Sequence, residues 1–482
     1  MASPQPPPQN RSILIIGGGT FGLSTALSLA RATASSADSQ STTTTTITVL
    51  EKDTQIPSRF SAGHDLNKII RAEYADPFYT DLSVHAIRKW QTDPLYQPYY
   101  FERGYLNVIS AAAPAATRQG LDKYRASLET HPAFRGKVRA VRGAAEVKRL
   151  VAQFDGPCEG WEGYYNEMAG YAHSRDAMDA VYRECKREFA DRVKFCVGPE
   201  HGEVERLLFE GEGEGGAGRC VGAVTRDGQV HRADTTIVTA GAGVVSLMPQ
   251  QLAGSSSSSP GRGLGLGITA RCWGVVHIQL TPDEAAALRG IPVTMVRDLA
   301  FFFEPDRDTN KLKFCHMGGG YHHLVHQESS SSSSSSSSAQ SSVADAGPPR
   351  DLASSQFVPE IDVQHIRRLL REALPALADR PLIDAHLCWI ADSGNSDFVI
   401  DFVPGAVGKS LAVATGDSGH GFKMLPIIGD IVKGLLESGE QSVARWRWAV
   451  HERNNNDGSV DGVRNWRNGA GKDLADLVRA KL

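Results

Sequence analysis

The chain has no excess of positive charge. Its 482 residues carry 51 Lys and Arg against 55 Asp and Glu, a formal net charge of -4. Nothing in that balance neutralises a phosphate backbone, so no nucleic-acid partner is expected. Cysteine is sparse: there are seven, scattered, and none forms a C-x-x-C pair. That argues against a disulfide framework and fits a reducing compartment. No run of about 18 apolar residues occurs, so no membrane span is expected. The opening MASPQPPPQNRS is polar and proline-rich and has no apolar signal core. There is no internal repeat, and no metal is expected. What is present, 41% hydrophobic and 22% charged residues, is globular composition, long enough for two or three domains.

The first organised segment is an apolar run, Ile13–Ile16, leading into Gly17-Gly18-Gly19-Thr20-Phe21-Gly22. A helical pattern follows at Leu23, Ala26, Leu27 and Leu29-Ala30. After a polar Ser/Thr tract, Ala34–Thr46, a second strand Ile47–Leu50 ends at Glu51. This is one βαβ unit with G-x-G-x-x-G at its turn. Gly17 permits the tight turn, Gly19 lets the backbone approach a pyrophosphate, and Gly22 lets helix and strand pack closely. The helix N-terminus offers amide hydrogens to phosphates, and a carboxylate at Glu51 can accept ribose hydroxyls. The motif points to a dinucleotide without separating NAD from FAD.

Farther on, Leu82–Trp90, Arg118–Glu129, Ser174–Phe189 and Val363–Leu374 read as helices. Val193–Val197, Gly222–Arg226, Thr236–Val238, Gly265–Leu280, Phe301–Glu304, Lys311–Cys315 and Leu411–Ala414 read as strands. Ser329–Ser338 is a low-complexity surface loop. In Ser61–Arg71, a helix would put His64, Lys68 and Arg71 on one face at i, i+4 and i+7. That face is either a carboxylate- or flavin-facing surface or a solvated one with Ile69 and Ile70 in the core. The glycine-rich Thr415–Met424 allows close backbone approach to a ligand. The helix after it would aim its N-terminus, with Lys423 in its first turn, at negative charge; an ordinary glycine loop with a surface lysine is equally compatible. Cys315 beside Lys313 and His316 is either a thiol of lowered pKa or a buried core cysteine. The last three residues, Ala480-Lys481-Leu482, are a conservative variant of the Ser-Lys-Leu peroxisomal address, or a chance tripeptide.

Taken in order, SILIIGGGTFGLSTALSLA, ITVLEKD, SAGHDLNKIIRAEY, DPLYQPYYFERGYL, VHIQLTPDEAA, FFFEP, LCWIADSGNSDFVIDFVP and ATGDSGHGFKMLPIIGDIVKGLLE resemble the D-amino-acid-oxidase-like flavoproteins. The resemblance is to the monomeric sarcosine oxidase group, with its fructosyl amino acid oxidases (amadoriases) and fungal L-pipecolate or L-saccharopine oxidases. It implies an α/β fold: a discontinuous FAD-binding Rossmann-like domain (11–75, 166–255, 386–482) and a mixed-sheet α+β substrate domain (76–165, 256–385), the latter with a mobile serine-rich loop at 327–350. It implies FAD held by Gly17, Gly19, Thr20, Phe21, Gly22, Glu51, Lys52, Ser61, His64 and Lys68. From the C-terminal part it adds Asp417, Ser418, Gly419, Gly421, Phe422 and Lys423, and a covalent link through Cys315. The implied reaction is oxidation of a secondary amine by hydride transfer to flavin, imine hydrolysis and reoxidation by molecular oxygen to hydrogen peroxide. A substrate carboxylate would be clamped by Arg71 and Lys423, with His64 over the flavin and Lys68 nearby. A monomer in the peroxisome is expected, with the cytoplasm the alternative and an import receptor as a possible partner.

Two departures stand out. Fructosyl amino acid oxidases usually carry a small polar residue where Arg71 stands, which favours the sarcosine, pipecolate or saccharopine side. The group's lysine beside flavin N5, expected near Leu266, is missing: no lysine occurs from Gln251 to Asn310, leaving Arg262, Arg271 or Lys68 to substitute. A tailoring oxidase of alkaloid-like amines, a flavin-binding protein without catalysis and a nicotinamide dehydrogenase stay open as alternatives.

Overall fold

The computed structural model describes residues 11–35, 45–211, 218–248, 267–327, 342–448 and 471–480. Arg11–Ile16 is buried from Ile13 onward, as an apolar run covered on both faces should be. It lies between two parallel partners, Thr45–Glu51 and Thr235–Val238, with Ile13 opposite Ile47 and Ile16 opposite Val238. Val193–Val197 extends the sheet on one side and Leu411–Thr415 on the other, both parallel. Antiparallel Val399–Phe402 closes the edge. The helix Thr20–Ser35 packs Leu23, Ala26, Leu27 and Ala30 into the largest apolar cluster. Helix Ile428–Ser438 contributes Ile428, Val432 and Leu435 to the same cluster. The parallel sheet is therefore assembled from three stretches far apart in sequence, as a Rossmann-like arrangement requires.

A ten-stranded mixed sheet forms the second layer. Its centre is the long strand Ile268–Gln279, antiparallel to Lys311–Cys315 on one side and Ile383–Ser393 on the other. Tyr105–Ile109 pairs with Glu162–Asn166 and with Val293–Val296. The strand Ile383–Ser393 runs across the division expected at 385/386, because its residues continue one ladder with Ile268–Gln279. The serine run, Arg262, Leu266, Lys481 and Leu482 lie outside the described residues.

The helix that would have aligned His64, Lys68 and Arg71 across Ser61–Arg71 does not form. Residues 61–67 make turns, and Lys68–Ile70 is a short strand paired with Gly170–Ala172. The β-branched pair Ile69-Ile70 suits a pleated, half-buried ladder better than a helix. Nor does a helix start directly after Gly421. Phe422–Met424 is a 3₁₀ turn and the α-helix begins at Ile428, since Pro426 supplies no amide hydrogen to a continuing helix.

Candidate active site

A cavity of about 830 Å³ runs along the ends of the parallel strands and onto the face of the larger sheet, within the size range of cofactor sites (roughly 300–1,000 Å³). One end is the glycine turn. Gly17 has φ +111°, and a Cβ there would stand 2.6 Å from the Thr239 carbonyl oxygen, so only glycine fits. The Thr20 helix N-terminus faces the same wall. Glu51 is buried and accepts from the Gly18 amide at 2.9 Å, the Asp53 amide at 2.9 Å and the Ser58 hydroxyl at 2.7 Å. Burial raises its pKa above the carboxylate norm. An open glycine backbone, a helix N-terminus and an acidic strand end fit the pyrophosphate and ribose of a dinucleotide. Of the residues expected to hold it, Gly17, Gly19, Thr20, Phe21, Glu51, Lys52, Ser61, His64, Asp417, Gly421 and Phe422 line the cavity. Gly22 does not: a Cβ there would fall on the Gly17 carbonyl, so it serves the turn. Ser418 and Gly419 also stand behind the wall. Asp417 accepts from the Ala391 amide and the Ser418 amide donates to Ala391 O, both at 2.9 Å, which ties the glycine loop to the strand Ile383–Ser393.

The family model for FAD dependent oxidoreductases matches residues 12–435. The chain belongs to this family. The oxidoreductase is 29% identical to the L-saccharopine oxidase of Schizosaccharomyces pombe over 467 residues, 92% of this chain and 94% of that protein. Among solved structures it is similar to the fructosamine oxidase Amadoriase II of Aspergillus fumigatus (30% identity, TM-score 0.77, 98% of each chain). It is likewise similar to the fructosyl peptide oxidase of E. terrenum (27% identity, TM-score 0.79, 99% of each chain). The fold is thus the α/β fold of FAD-dependent oxidases, its parallel sheet being the FAD-binding layer.

Without the helix, His64, Lys68 and Arg71 of the oxidoreductase go to three surroundings. His64 stays on the cavity wall; burial, then Arg175, lowers its pKa. Lys68 turns to Asp65, 3.0 Å away, and donates to Cys388 Sγ at 3.4 Å. Burial opposes its charge, but Cys388 and Asp65 outweigh that and its pKa rises. Arg71 donates to the Glu73 carbonyl and lies 5.2 Å from the Tyr74 ring centroid. Lys423 comes to the same tyrosine from 349 residues away, its Nζ donating to Tyr74 Oη at 2.6 Å. Burial, then Arg71, pushes Lys423 well below the usual lysine pKa. Tyr74 Oη in turn donates to His420 Nδ1 at 3.0 Å, and His420 Nε2 donates to Ser396 O at 2.8 Å. Arg71 and Lys423 are thus brought together, through Tyr74 rather than along one helix face.

Cys315 is buried, which pushes its thiol pKa up, and like Lys68, Arg71 and Lys423 it is not among the residues lining the cavity. Its neighbour His316 turns away to the Leu299 carbonyl. The cysteine on the wall is Cys388. A buried lysine stands just outside the lysine-free interval. Lys313, three residues past the Gln251–Asn310 interval, is 2% exposed; its Nζ lies 2.5 Å from Asp65 and donates to Asn67 O at 2.7 Å. Arg271 is committed elsewhere, to Asp392 at 2.8 Å. The signal was in K-L-K-F-C: a charge alternating with apolar residues in a buried strand needs a partner.

Proposed function

We propose that the protein oxidises a secondary amine bearing a carboxylate, an N-alkyl or cyclic amino acid such as sarcosine, pipecolate or saccharopine, with hydrogen peroxide as co-product. The observation that carries this reading is the meeting of Arg71 and Lys423 at Tyr74. Half-buried Arg71 and buried Lys423 stand beside one carboxylate, Glu73, so a second anion placed between the two nitrogen groups would find a partner in each. A substrate carboxylate supplies that anion: the Arg71 guanidinium offers a planar fork, and an anion beside Lys423 favours its protonated form. The names of the relatives, saccharopine oxidase and fructosamine oxidase, are those of enzymes acting on such amines. When bound, FAD supplies the hydride acceptor and passes two electrons to oxygen, while the protein supplies position and electrostatics. The decisive experiment is anaerobic mixing with a panel of N-alkyl and cyclic amino acids, read as flavin bleaching. Arg71→Ala and Lys423→Ala should each weaken apparent binding of carboxylate substrates at least about tenfold, or about 1.4 kcal/mol; unchanged affinity in both removes the clamp.

A second reading, oxidation of fructosyl amino acids, is favoured by the solved neighbours and disfavoured by Arg71. A tailoring oxidase of bulky amines would be indifferent to Arg71. We also read Cys388 as the covalent flavin anchor in place of Cys315, because it lines the cavity and its sulfur lies 3.4 Å from Lys68 Nζ. Acid precipitation tests this: colour stays with the pellet in the parent and in Cys315→Ala, and leaves it in Cys388→Ala. The same outcome in both variants ends the assignment. A peroxisomal address at Ala480-Lys481-Leu482 and a monomeric state complete the proposal; imaging of the full chain against one lacking the tripeptide tests the address.

A further inference from the structure

One face of three adjacent strands carries a row of titratable groups that the amine chemistry above does not use. Side chains two apart on a strand share a face, and cross-strand partners stand side by side. His277 is the antiparallel partner of Lys313, Gln279 of Lys311, and Val275 of His386. The row therefore runs from Lys311 and Asp384, through His277 and His386, to Lys313, with Cys388 beyond His386. Lys311 Nζ and Asp384 Oδ2 are 2.7 Å apart, and the Asp384 side chain is 51% exposed. At the other end Lys313 is sealed in and paired with Asp65.

Between the ends, the imidazoles of His277 and His386 lie nearly parallel, 6.1 Å between centroids, a gap one water spans. His277 is 4% exposed, lines the cavity, and neither of its ring nitrogens has a hydrogen-bond partner among the described residues. His386 Nδ1 donates to the Asp384 carbonyl at 3.0 Å, which leaves Nε2 as an acceptor. A buried imidazole with both nitrogens unmatched is costly unless something in the cavity pairs with it.

We propose that His277 and His386 form a proton path between the exposed Lys311–Asp384 rim and the buried Lys313–Asp65 pair. The inference rests on the oxidase reading, in which protons leave the amine and two must reach reduced oxygen inside a closed site. A proton taken from solvent at His386 Nε2 passes by water to a His277 nitrogen and on to Lys313 Nζ whenever that amine is neutral; the reverse sequence discharges it. At each transfer an N–H or O–H bond breaks as the next one forms, and the charge that arrives on Lys313 Nζ is discharged when its proton passes to reduced oxygen or back along the row. The groups facing the two rings are Asp65 and Lys68 from the turn and short strand, Lys311, Lys313 and Cys315 from one flanking strand, and Asp384 and Cys388 from the other. Burial holds both histidines below their usual pKa, His277 at about 4. Both are therefore neutral acceptors at pH 7, as a relay requires.

The test uses His277→Gln and His386→Gln in the full-length holoprotein. The flavin is reduced photochemically, without any amine, and mixed with oxygen in H₂O and D₂O. Each variant should reoxidise at least about tenfold more slowly, with a larger solvent isotope effect and recovery on adding imidazole, while the flavin spectrum stays that of the parent. Independently of cofactor, ¹⁵N-histidine spectra should show the His277 ring N–H exchanging with water more slowly in His386→Gln. Parent-like reoxidation and isotope effect, or unchanged exchange, overturns the path. Failure of every amine to bleach the flavin overturns the oxidase reading instead, because neither relay measurement uses an amine.

Discussion

At the scale of single residues, the site depends on charges whose neighbours decide what they do. The sealing-in of Lys313 was not legible in the sequence, because burial and the Asp65 partner are properties of the folded sheet. When protonated, a lysine in a dry site stabilises negative charge developing on oxygen. Lys313→Met should therefore slow reoxidation of the reduced flavin by oxygen at least about tenfold, while leaving amine-driven reduction within a factor of two or so. Stopped-flow traces of the two half-reactions separate these, and an equal loss in both would mean that the lysine only holds Asp65 in place. The glycine turn and Glu51 were legible in sequence because a strand, a turn and a helix within forty or so residues impose their own chemistry. The convergence of Arg71 with Lys423 followed from the family resemblance, and its route through Tyr74 from neither. Nothing local in the sequence distinguishes a cavity-lining thiol such as Cys388 from a buried one such as Cys315.

At the scale of elements, periodicity misled only where two patterns overlapped. His64, Lys68 and Arg71 fit a helical face, yet Ile69 and Ile70 pair as a strand with Tyr171 and Gly170. The amphipathic helix Glu360–Ala373 shows the reverse, a correct period with an unforeseen buried acid. Asp362 is fully buried, accepts from Tyr321 Oη and, at 3.3 Å, from the Gly274 amide. Burial pushes its pKa up to about 7. The folded state then keeps a proton that the unfolded chain releases near its ordinary 3.8. Raising the pH from about 4 to about 7 accordingly lowers stability through this group, and the effect levels off above. Asp362→Asn removes that dependence, so its melting temperature should gain on the parent between pH 5 and pH 8; a constant difference across that range would show that Asp362 titrates normally. The first βαβ turn permits a sharper test. Gly22→Ala should abolish flavin retention, measured as the bound flavin-to-protein ratio, because the new methyl group collides with the Gly17 carbonyl.

At the scale of the molecule, the two sheets draw their strands from interleaved segments, and short-range patterns do not reveal such pairings. The long strands Ile268–Gln279 and Ile383–Ser393 lie over a hundred residues apart in sequence, yet form one ladder. The C-terminal segment is also built in: Lys472 and Asp473 pair with Tyr321 and His322, and the Ala480 amide donates to Val358 O at 2.9 Å. Removing residues 471–482 should lower the unfolding temperature by several degrees and loosen that sheet edge, as read by hydrogen exchange at Tyr321; a chain that melts like the parent would show the segment to be merely laid on the surface. The meeting of Lys423 with Tyr74 has a meaning for synthesis. A ribosome that has made most of this protein has made Arg71, Tyr74 and the whole nucleotide turn, but neither Lys423 nor the strand Leu411–Thr415 beside which it arrives. On the proposed clamp, a nascent or prematurely terminated chain that lacks Lys423 should fail to grip an acidic substrate. Binding competence should then appear only near the end of translation, an incomplete copy carrying half of the proposed clamp.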